Sequence, residues 1–235
     1  MSPRRPNSRV DSRADPRADL HAGSRAGGPR PDAAEGPEEA ASPPRISGGE
    51  LCGRRLLFVP DPRTRPMKER VRETLFQLLG TDVPGTLAID LFAGTGMLGF
   101  EALSRGSVAA VLVERHFPTA DRIKKSAAAL GLTDRVTVRS GDTLLWGRRL
   151  PDLPTAAPWL VFVSPPWSFF AERQAELMTL IDTLRIAAPP GSTLVVEADT
   201  SFDPAFLPQP EAWESRPVPP AVLLFHHTAE SPADA

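Results

Sequence analysis

The stretch that decides the fold is Ile89-Asp90-Leu91-Phe92-Ala93-Gly94-Thr95-Gly96-Met97-Leu98-Gly99. It continues a largely apolar run, residues 86–92, that is typical of a buried strand, and it leads into a helix predicted over residues 96–105. Gly94 and Gly96 allow a tight turn between the two, and the absence of a Cβ atom lets a ligand approach the backbone closely. The stretch therefore predicts a strand, a glycine turn and a helix that together hold a ligand.

The rest of the chain repeats this alternation. Strands are predicted over 109–114, 136–139, 159–163, 193–197 and 221–226, and helices over 117–130 and 168–187, with a further short helix after residue 139. Alternation with continuous apolar strands predicts an α/β fold, in which helices cover both faces of a mostly parallel, doubly wound sheet. Right-handed crossovers place ligands at the carboxyl ends of such strands, so the residues that follow each strand are the candidates for function.

Composition narrows the class of protein. The chain has 235 residues, a formal net charge of −2 and 27 prolines. Its single cysteine, Cys52, excludes an intramolecular disulfide framework and a zinc ribbon. No apolar run approaches the roughly 18 residues that span a bilayer, and the beginning of the chain lacks the apolar segment of a secretory signal. We therefore expect a cytoplasmic protein with no membrane partner and no metal.

The chain divides into four segments by composition. Residues 1–44 contain eight prolines and few aliphatic side chains, so they are expected to form a disordered tail. Residues 45–80 are expected to form a basic extension, because residues 45–72 carry eight basic and three acidic residues, a net charge of +5. Such a charge suits a polyanion, although a merely solvated face is the alternative. Residues 81–228 are predicted to be the ligand-binding domain, and residues 229–235 a flexible C-terminus.

Within the basic extension, residues 45–49 and 54–60 are predicted to be two short strands joined through a glycine-containing turn, which gives a small β-hairpin. A helix is predicted to begin at residue 64 or 65, with Pro66 in its first turn, and to end at Gly80. Three basic residues fall mostly off the apolar stripe of this helix and are predicted to face solvent or a ligand: Lys68, Arg70 and Arg72.

Asp90 discriminates between possible ligands. Gly94-x-Gly96-x-x-Gly99 also matches the fingerprint of dinucleotide-binding proteins, with Glu114 about 20 residues further on. A carboxylate at Asp90 would, however, crowd an anionic pyrophosphate and favours a ligand that carries positive charge. S-adenosylmethionine has a sulfonium and an ammonium group and no phosphate. We therefore predict this cofactor, with Asp90 near its methionine end, the glycine turn under its ribose and Glu114 on the ribose hydroxyls.

A third acid follows the third strand. Asp142 supplies an acceptor where the exocyclic amine of the adenine would lie, although it could simply cap the following helix, as Asp90 could without any ligand. The predicted cofactor-binding residues are Asp90, Phe92, Ala93, Gly94, Thr95, Gly96, Glu114, Arg115 and Asp142.

The fourth strand is followed by Ser164-Pro165-Pro166-Trp167, the predicted catalytic residues. The prolines fix the path of the backbone and leave its carbonyls free to accept hydrogen bonds. A polar residue before them and an aromatic residue after them make a slot for a planar base, whose stacking contributes about 1–3 kcal/mol. If Ser164 and the Pro165 carbonyl accept both protons of an exocyclic amine, its lone pair is freed for in-line attack on a methyl group. A proline-rich loop with a buried tryptophan is the structural alternative.

Two stretches resemble the RsmD-type family of guanine-N2 methyltransferases that act on small-subunit (16S) ribosomal RNA. They are Arg65-Pro66-Met67-Lys68-Glu69-Arg70-Val71-Arg72-Glu73-Thr74-Leu75-Phe76 and the run from Asp90 to Gly106, and Arg45-Ile46-Ser47-Gly48-Gly49 is similar to the start of the family. The resemblance implies a Rossmann-like class I methyltransferase fold with an antiparallel last strand, and S-adenosylmethionine as cofactor. It also implies ribosomal RNA or the assembling small subunit as the partner, and we expect the protein to be a monomer. The basic extension would dock RNA through Arg45, Arg54, Arg55, Arg63, Arg65, Lys68 and Arg70.

Two residues depart from the pattern of that family. Ser164 stands where the family usually has Asp or Asn, and Trp167 stands where it has Tyr or Phe. Ser-Pro-Pro-aromatic also resembles the catalytic motif of DNA methyltransferases that act on cytosine N4. Two alternatives remain open. One is a catalytically degenerate methyltransferase fold that binds RNA or a protein through residues 45–72, and the other is an NAD-dependent oxidoreductase that uses the glycine fingerprint.

Overall fold

The structure is a computed structural model that describes residues 43–59, 67–148 and 153–229. Most of the predicted tail, residues 1–42, lies outside the described residues. So do Arg63 and Arg65, the predicted start of the first helix, and residues 230–235 of the predicted C-terminal segment.

The described residues form one sheet of seven strands. Its order is β3-β2-β1-β4-β5-β7-β6, in which β1 to β5 run parallel and β7 lies antiparallel between β5 and β6. This arrangement confirms the predicted α/β class, the doubly wound topology and the antiparallel last strand. The strands are β1 Leu87–Asp90, β2 Ala109–Glu114, β3 Val136–Ser140, β4 Trp159–Val163, β5 Thr193–Asp199, β6 Glu214–Val218 and β7 Ala221–His227.

Helices cover both faces of this sheet, and each face has its own apolar core. On one face, Leu75, Phe100 and Ile123 of successive helices pack against the sheet, and on the other face Leu177 and Ile181 do so. Burial on both faces explains why the central strands are mostly apolar. The helices are α1 Glu69–Leu79, α2 Met97–Ser104, α3 Phe117–Leu130, α4 Thr143–Gly147, α5 Phe169–Glu172 and α6 Gln174–Ala187.

Three elements differ from the prediction. Strand β6 was not predicted, because it is an exposed edge strand that contains Pro217 and so lacks an apolar pattern. The helix predicted over residues 168–187 is interrupted at Arg173, whose backbone is not helical. The first helix is shorter than predicted within the described residues, since Lys68 has an extended backbone (φ −57°, ψ 139°) and α1 begins at Glu69.

The two N-terminal strands are reduced to a single antiparallel bridge between Arg45 and Arg55. The N–H of Ile46 donates to the carbonyl of Arg54 at 2.9 Å. Antiparallel pairing is thus present, but the prediction of two short strands is wrong.

The chain between the paired residues packs against the end of α2 instead of extending the hairpin. The N–H of Glu50 donates to the Ser104 carbonyl at 2.7 Å, and the N–H of Leu51 donates to the Ser104 hydroxyl at 2.9 Å. Gly49 has a φ of +76°, and a Cβ atom there would overlap the Ser104 carbonyl. These contacts with α2 replace the ladder that a longer hairpin would need.

Arg72 belongs to a buried ion-pair cluster rather than to the exposed basic surface. Its Nε donates to Glu101 Oε1 at 3.1 Å, and Glu101 is fully buried in α2. Glu101 also accepts hydrogen bonds from the Ser47 N–H at 2.8 Å and from the Arg105 guanidinium. Arg72 therefore does not face solvent, because its guanidinium neutralises a buried carboxylate, although the residue also lines the cleft described below, where a ligand could reach it.

Candidate active site

A cleft of about 900 Å³ opens at the carboxyl ends of the parallel strands. The four predicted catalytic residues line it, together with every predicted cofactor-binding residue except Gly96. The fold thus brings the acid of β1, the glycine turn, the end of β2 and the Ser-Pro-Pro-Trp run into one cavity. Among the predicted RNA-binding residues within the described ranges, Lys68 also lines it.

Asp90 is a buried carboxylate without a hydrogen-bond partner among the described residues. Its side chain lies in the wall of the cleft, and the residue is 1% exposed. Burial raises the pKa of Asp90 to about 7, and the negative charge of Glu114 contributes further. The backbone N–H groups of Gly99 and Phe92 lower this pKa in part, without forming well-aligned hydrogen bonds. An uncompensated carboxylate of this kind is costly to the free protein and is suited to a cationic ligand.

Glu114 connects the end of β2 to the glycine turn. Its Oε2 accepts a hydrogen bond from the Gly94 N–H at 2.8 Å, and its Oε1 accepts one from the His116 N–H at 2.7 Å. Gly94 has a φ of +52°, which orients its N–H towards the carboxylate. The two bonds fix the Glu114 carboxylate at the edge of the cleft, and its remaining lone pairs are available to hydroxyl groups.

Gly96 shapes the turn from outside the cleft. Its φ is +80°, and a Cβ atom there would lie 3.0 Å from the ring of Phe100 and 3.2 Å from Ile123. Backbone conformation and packing against these two side chains both favour glycine here.

Asp142 acts as the cap of α4. Its Oδ1 accepts hydrogen bonds from the N–H groups of Leu144 at 2.8 Å and Leu145 at 3.3 Å, and its Oδ2 pairs with Arg173 at 3.3 Å. Burial alone would raise the pKa of Asp142, but these hydrogen bonds and the guanidinium hold it below its usual range. The carboxylate also lines the cleft, so capping and ligand contact are compatible.

The predicted catalytic run, Ser164 to Trp167, begins with a hydrogen bond that the sequence did not reveal. The Ser164 hydroxyl donates to Glu197 Oε2, and Glu197 lies on the neighbouring strand β5 with 8% of its surface exposed. Burial raises the pKa of Glu197, while the hydrogen bond from Ser164 acts in the opposite direction. The signal in the sequence was an acid at position 197 in an otherwise apolar strand, as at Asp90.

An aromatic wall on α5 was also missed. Phe169 meets Phe92 edge to face, with ring centroids 6.1 Å apart, and the Arg173 guanidinium lies 5.4 Å from the Phe169 ring. Because Arg173 also pairs with Asp142, the start of α6 is tied to the start of α4. Only the tertiary structure shows that Phe169 lines this cavity.

The predicted RNA-binding residues within the described ranges are exposed. Arg54 Nη2 donates to the Ala129 carbonyl of α3 at 3.2 Å, which holds part of the basic surface against the domain. The predicted RNA-binding residues that are described and exposed are Arg45, Arg54, Arg55, Lys68 and Arg70.

In the part of the chain that is described, no helix has the length and apolarity to cross a membrane, and no group of His, Cys, Asp or Glu is placed to hold a metal ion.

The sheet order and the site together define a class. A parallel sheet with an antiparallel β7 inserted beside β5, and a glycine turn between Asp90 and Glu114, are the features of a Rossmann-like class I methyltransferase dependent on S-adenosylmethionine. The residues present fit this cofactor, because Asp90 offers an unpartnered buried carboxylate to a cation and no cationic side chain pairs with it among the described residues.

Comparison with known proteins identifies the family. The family model described as Conserved hypothetical protein 95 matches residues 44–216. YlbH of Bacillus subtilis (strain 168) is 32% identical over 159 residues, 68% of this chain and 84% of that protein. Ribosomal RNA small subunit methyltransferase D of Escherichia coli (strain K12) is 36% identical over 124 residues, 52% of this chain and 60% of that protein. The chain belongs to the Conserved hypothetical protein 95 family, that of the RsmD-type methyltransferases.

A solved structure agrees with this assignment. The Escherichia coli protein yhhF superimposes with a TM-score of 0.62 at 28% identity, over 79% of this chain and 98% of that one. Family and fold support the methyltransferase prediction over the NAD-dependent oxidoreductase that the glycine fingerprint left open.

Proposed function

We propose that this protein methylates an exocyclic amine of an RNA base, and that its target is N2 of a guanine in small-subunit ribosomal RNA. The observation that carries the proposal is the common cleft, which the Ser164–Trp167 run lines together with Asp90, Gly94 and Glu114. The printed name of the Escherichia coli relative, ribosomal RNA small subunit methyltransferase D, supports the substrate class.

The chain's own residues suit the cofactor by charge and by hydrogen bonding. S-adenosylmethionine, when bound, supplies an electrophilic methyl group on a sulfonium. Asp90 would interact with its cationic methionine end, because this carboxylate has no partner among the described residues. Glu114, held by two backbone N–H groups, would accept hydrogen bonds from the ribose hydroxyls. Asp142 would accept from the adenine amine with the lone pairs that its cap leaves free.

The base would lie against Trp167 and direct its amine towards Ser164. The Pro165 carbonyl and the Ser164 hydroxyl oxygen are the acceptors for the two amine protons. Holding both protons aligns the nitrogen lone pair with the methyl group, so the acceleration comes mainly from proximity and orientation. This chemistry requires neither a metal nor a covalent intermediate with the protein.

The exposed arginines and lysine of the basic extension would dock the RNA backbone. Lys68 lies both on this surface and at the cleft, so it would link phosphate binding to base binding. Contacts of this kind weaken with salt, because each neutralised phosphate releases counterions. Ribosomal RNA or the assembling small subunit is the proposed partner, and the protein is proposed to act as a monomer.

Substitution of Trp167 tests the base-binding slot. Trp167→Ala should abolish methyl transfer while the affinity for demethylated cofactor, measured by calorimetry, stays within a few-fold of the wild type. Trp167→Phe is the matched control and should retain most activity, because phenylalanine still stacks. Methyl transfer that survives Trp167→Ala would disprove the stacking role, and wild-type protein without any heat of cofactor binding would disprove the proposed function.

The alternative function is a catalytically degenerate methyltransferase fold that only binds RNA, and it rests on Ser164 in place of an acid or amide. Mass spectrometry of ribosomal RNA nucleosides from cells with and without the gene distinguishes this binding module from an active enzyme. Loss of one methylated guanine in the deletion strain supports the enzyme. An unchanged nucleoside profile together with retained RNA binding supports the binding module.

A further inference from the structure

Glu197 is a buried acid that the proposed function does not yet use. Strands β4 and β5 are parallel neighbours in which Val163 pairs with Val196, so Ser164 and Glu197 occupy the next position in register. Both residues line the cleft, and the Ser164 hydroxyl donates its hydrogen bond to the Glu197 carboxylate. No cationic side chain among the described residues pairs with Glu197.

This hydrogen bond determines what Ser164 can offer to a substrate. A serine hydroxyl has one proton and two lone pairs, and it rotates to suit its surroundings. Because the Ser164 proton is engaged in the hydrogen bond to Glu197, the Ser164 oxygen presents only lone pairs to the cleft. A carboxylate at the far side also polarises the hydroxyl, which makes the oxygen a stronger acceptor for a second hydrogen bond.

We propose that Glu197 is the positioning residue that makes Ser164 an acceptor for the amine to be methylated. The inference rests on the proposed function. Where the family usually has an Asp or Asn, this chain has Ser164, and the carboxylate beside it comes from Glu197 on β5. An amine that gains positive charge during transfer is stabilised by the Ser164–Glu197 pair, whereas a freely rotating hydroxyl could turn its own proton towards the amine.

The test is a set of substitutions at the two positions, assayed by transfer of a tritiated methyl group to small-subunit ribosomal RNA and to small subunits from cells lacking the gene. Glu197→Gln keeps the shape of the side chain and removes its charge. It should lower kcat about tenfold, as expected when a charge-assisted hydrogen bond becomes a neutral one. The KM for RNA and the calorimetric affinity for demethylated cofactor should stay unchanged.

The same substitution should have the opposite effect when a carboxylate is introduced on β4. S164D places two carboxylates side by side, so one of them is protonated or displaced and activity falls. In the S164D/E197Q double variant, the remaining carboxylate contacts the amine directly, so E197Q should raise kcat relative to S164D alone. Asp199→Asn, two residues further along β5, is the matched control and should leave kcat unchanged in both backgrounds.

A purely structural role for Glu197 predicts a different result. Equal losses from E197Q in the wild-type and S164D backgrounds, or no loss in the wild type, would overturn the inference while leaving the proposed function intact. If E197Q fails to fold in the wild-type background, E197D replaces it and should retain at least half of kcat, since it keeps the charge; a loss of tenfold or more overturns the inference. A wild-type protein that transfers no methyl group to either substrate would overturn the proposed function and this inference together.

Discussion

Replacing Asp90 by asparagine should make the free protein more stable above pH 7, where the buried carboxyl is ionised, and the site less able to bind its cofactor. Asp90 is buried, lacks a hydrogen-bond partner among the described residues, and has its pKa raised to about 7 by burial, with a contribution from Glu114. A carboxyl whose pKa is higher in the folded than in the unfolded state favours folding only while it is protonated. Its contribution is therefore lost as the pH rises from about 4 through about 7.

The size of the effect follows from the change in pKa. A rise from 3.8 to about 7 corresponds to a cost of about 4 kcal/mol above pH 7, at about 1.4 kcal/mol per pH unit. At pH 5 the carboxyl is protonated when folded and mostly ionised when unfolded, so the cost is about 1.5 kcal/mol. The amide of the Asp90→Asn variant would carry no such pH dependence, although burying it without partners costs about 1–3 kcal/mol at every pH. The stability of Asp90→Asn relative to the wild type should thus increase by about 2.5 kcal/mol between pH 5 and pH 8.

Urea unfolding of both proteins at pH 5 and pH 8, without cofactor, measures this difference. Asp199→Asn is the control, because hydrogen bonds from the Ser201 side chain and N–H lower the pKa of Asp199 and its substitution should bring no gain at pH 8. Calorimetry should show a large loss of S-adenosylmethionine affinity in Asp90→Asn at pH 8. A stability difference that does not change with pH, or cofactor affinity equal to the wild type, would refute the role given to this carboxylate.

Two further substitutions test the turn and the extension. Glu114→Gln should weaken cofactor binding about tenfold in calorimetry, because the Gly94 and His116 N–H groups donate to different oxygens of Glu114 and the amide replaces one of these oxygens by an NH2 donor. Gly49→Ala should destabilise the protein by roughly 1–3 kcal/mol in urea unfolding, since φ is +76° and the new Cβ overlaps Ser104. Gly53→Ala, with a φ of +83° and open space around it, should cost less, and an equal loss in both alanine variants would contradict the overlap.

The sequence was most informative where local pattern and tertiary environment agree. The buried strands and the glycine turn were predicted from apolar runs and from Gly94 and Gly96, and the fold confirms them. Arg72 was misjudged because an arginine outside the apolar stripe normally faces solvent, and its buried partner Glu101 lies 29 residues away. Helical periodicity contains no information on such a pairing.

From the sequence, the residues of the candidate site could be predicted only where they lie at the end of a strand or directly after it. Glu197 escaped notice because its importance depends on the lateral register of β4 and β5, which brings it to Ser164. Phe169 escaped because the path of the chain after the two prolines is set by packing. For Asp142, the sequence left a helix cap and a ligand contact as alternatives, and the structure shows the cap in a residue that also lines the cleft.

The buried carboxylate of Glu101 has a consequence for shortened versions of the chain. Glu101 lies in α2, the helix that starts at the glycine turn, while Ser47 and Arg72 reach it from the basic extension. Truncation at residue 80 would remove Ser47 and Arg72 from this anion, leave it only Arg105 of its own helix, and uncover the apolar surface beneath Ile46 and Leu75. We therefore expect residues 81–235 alone to be less stable than the whole chain, because the segment proposed to dock RNA also supports the helix that follows the glycine turn.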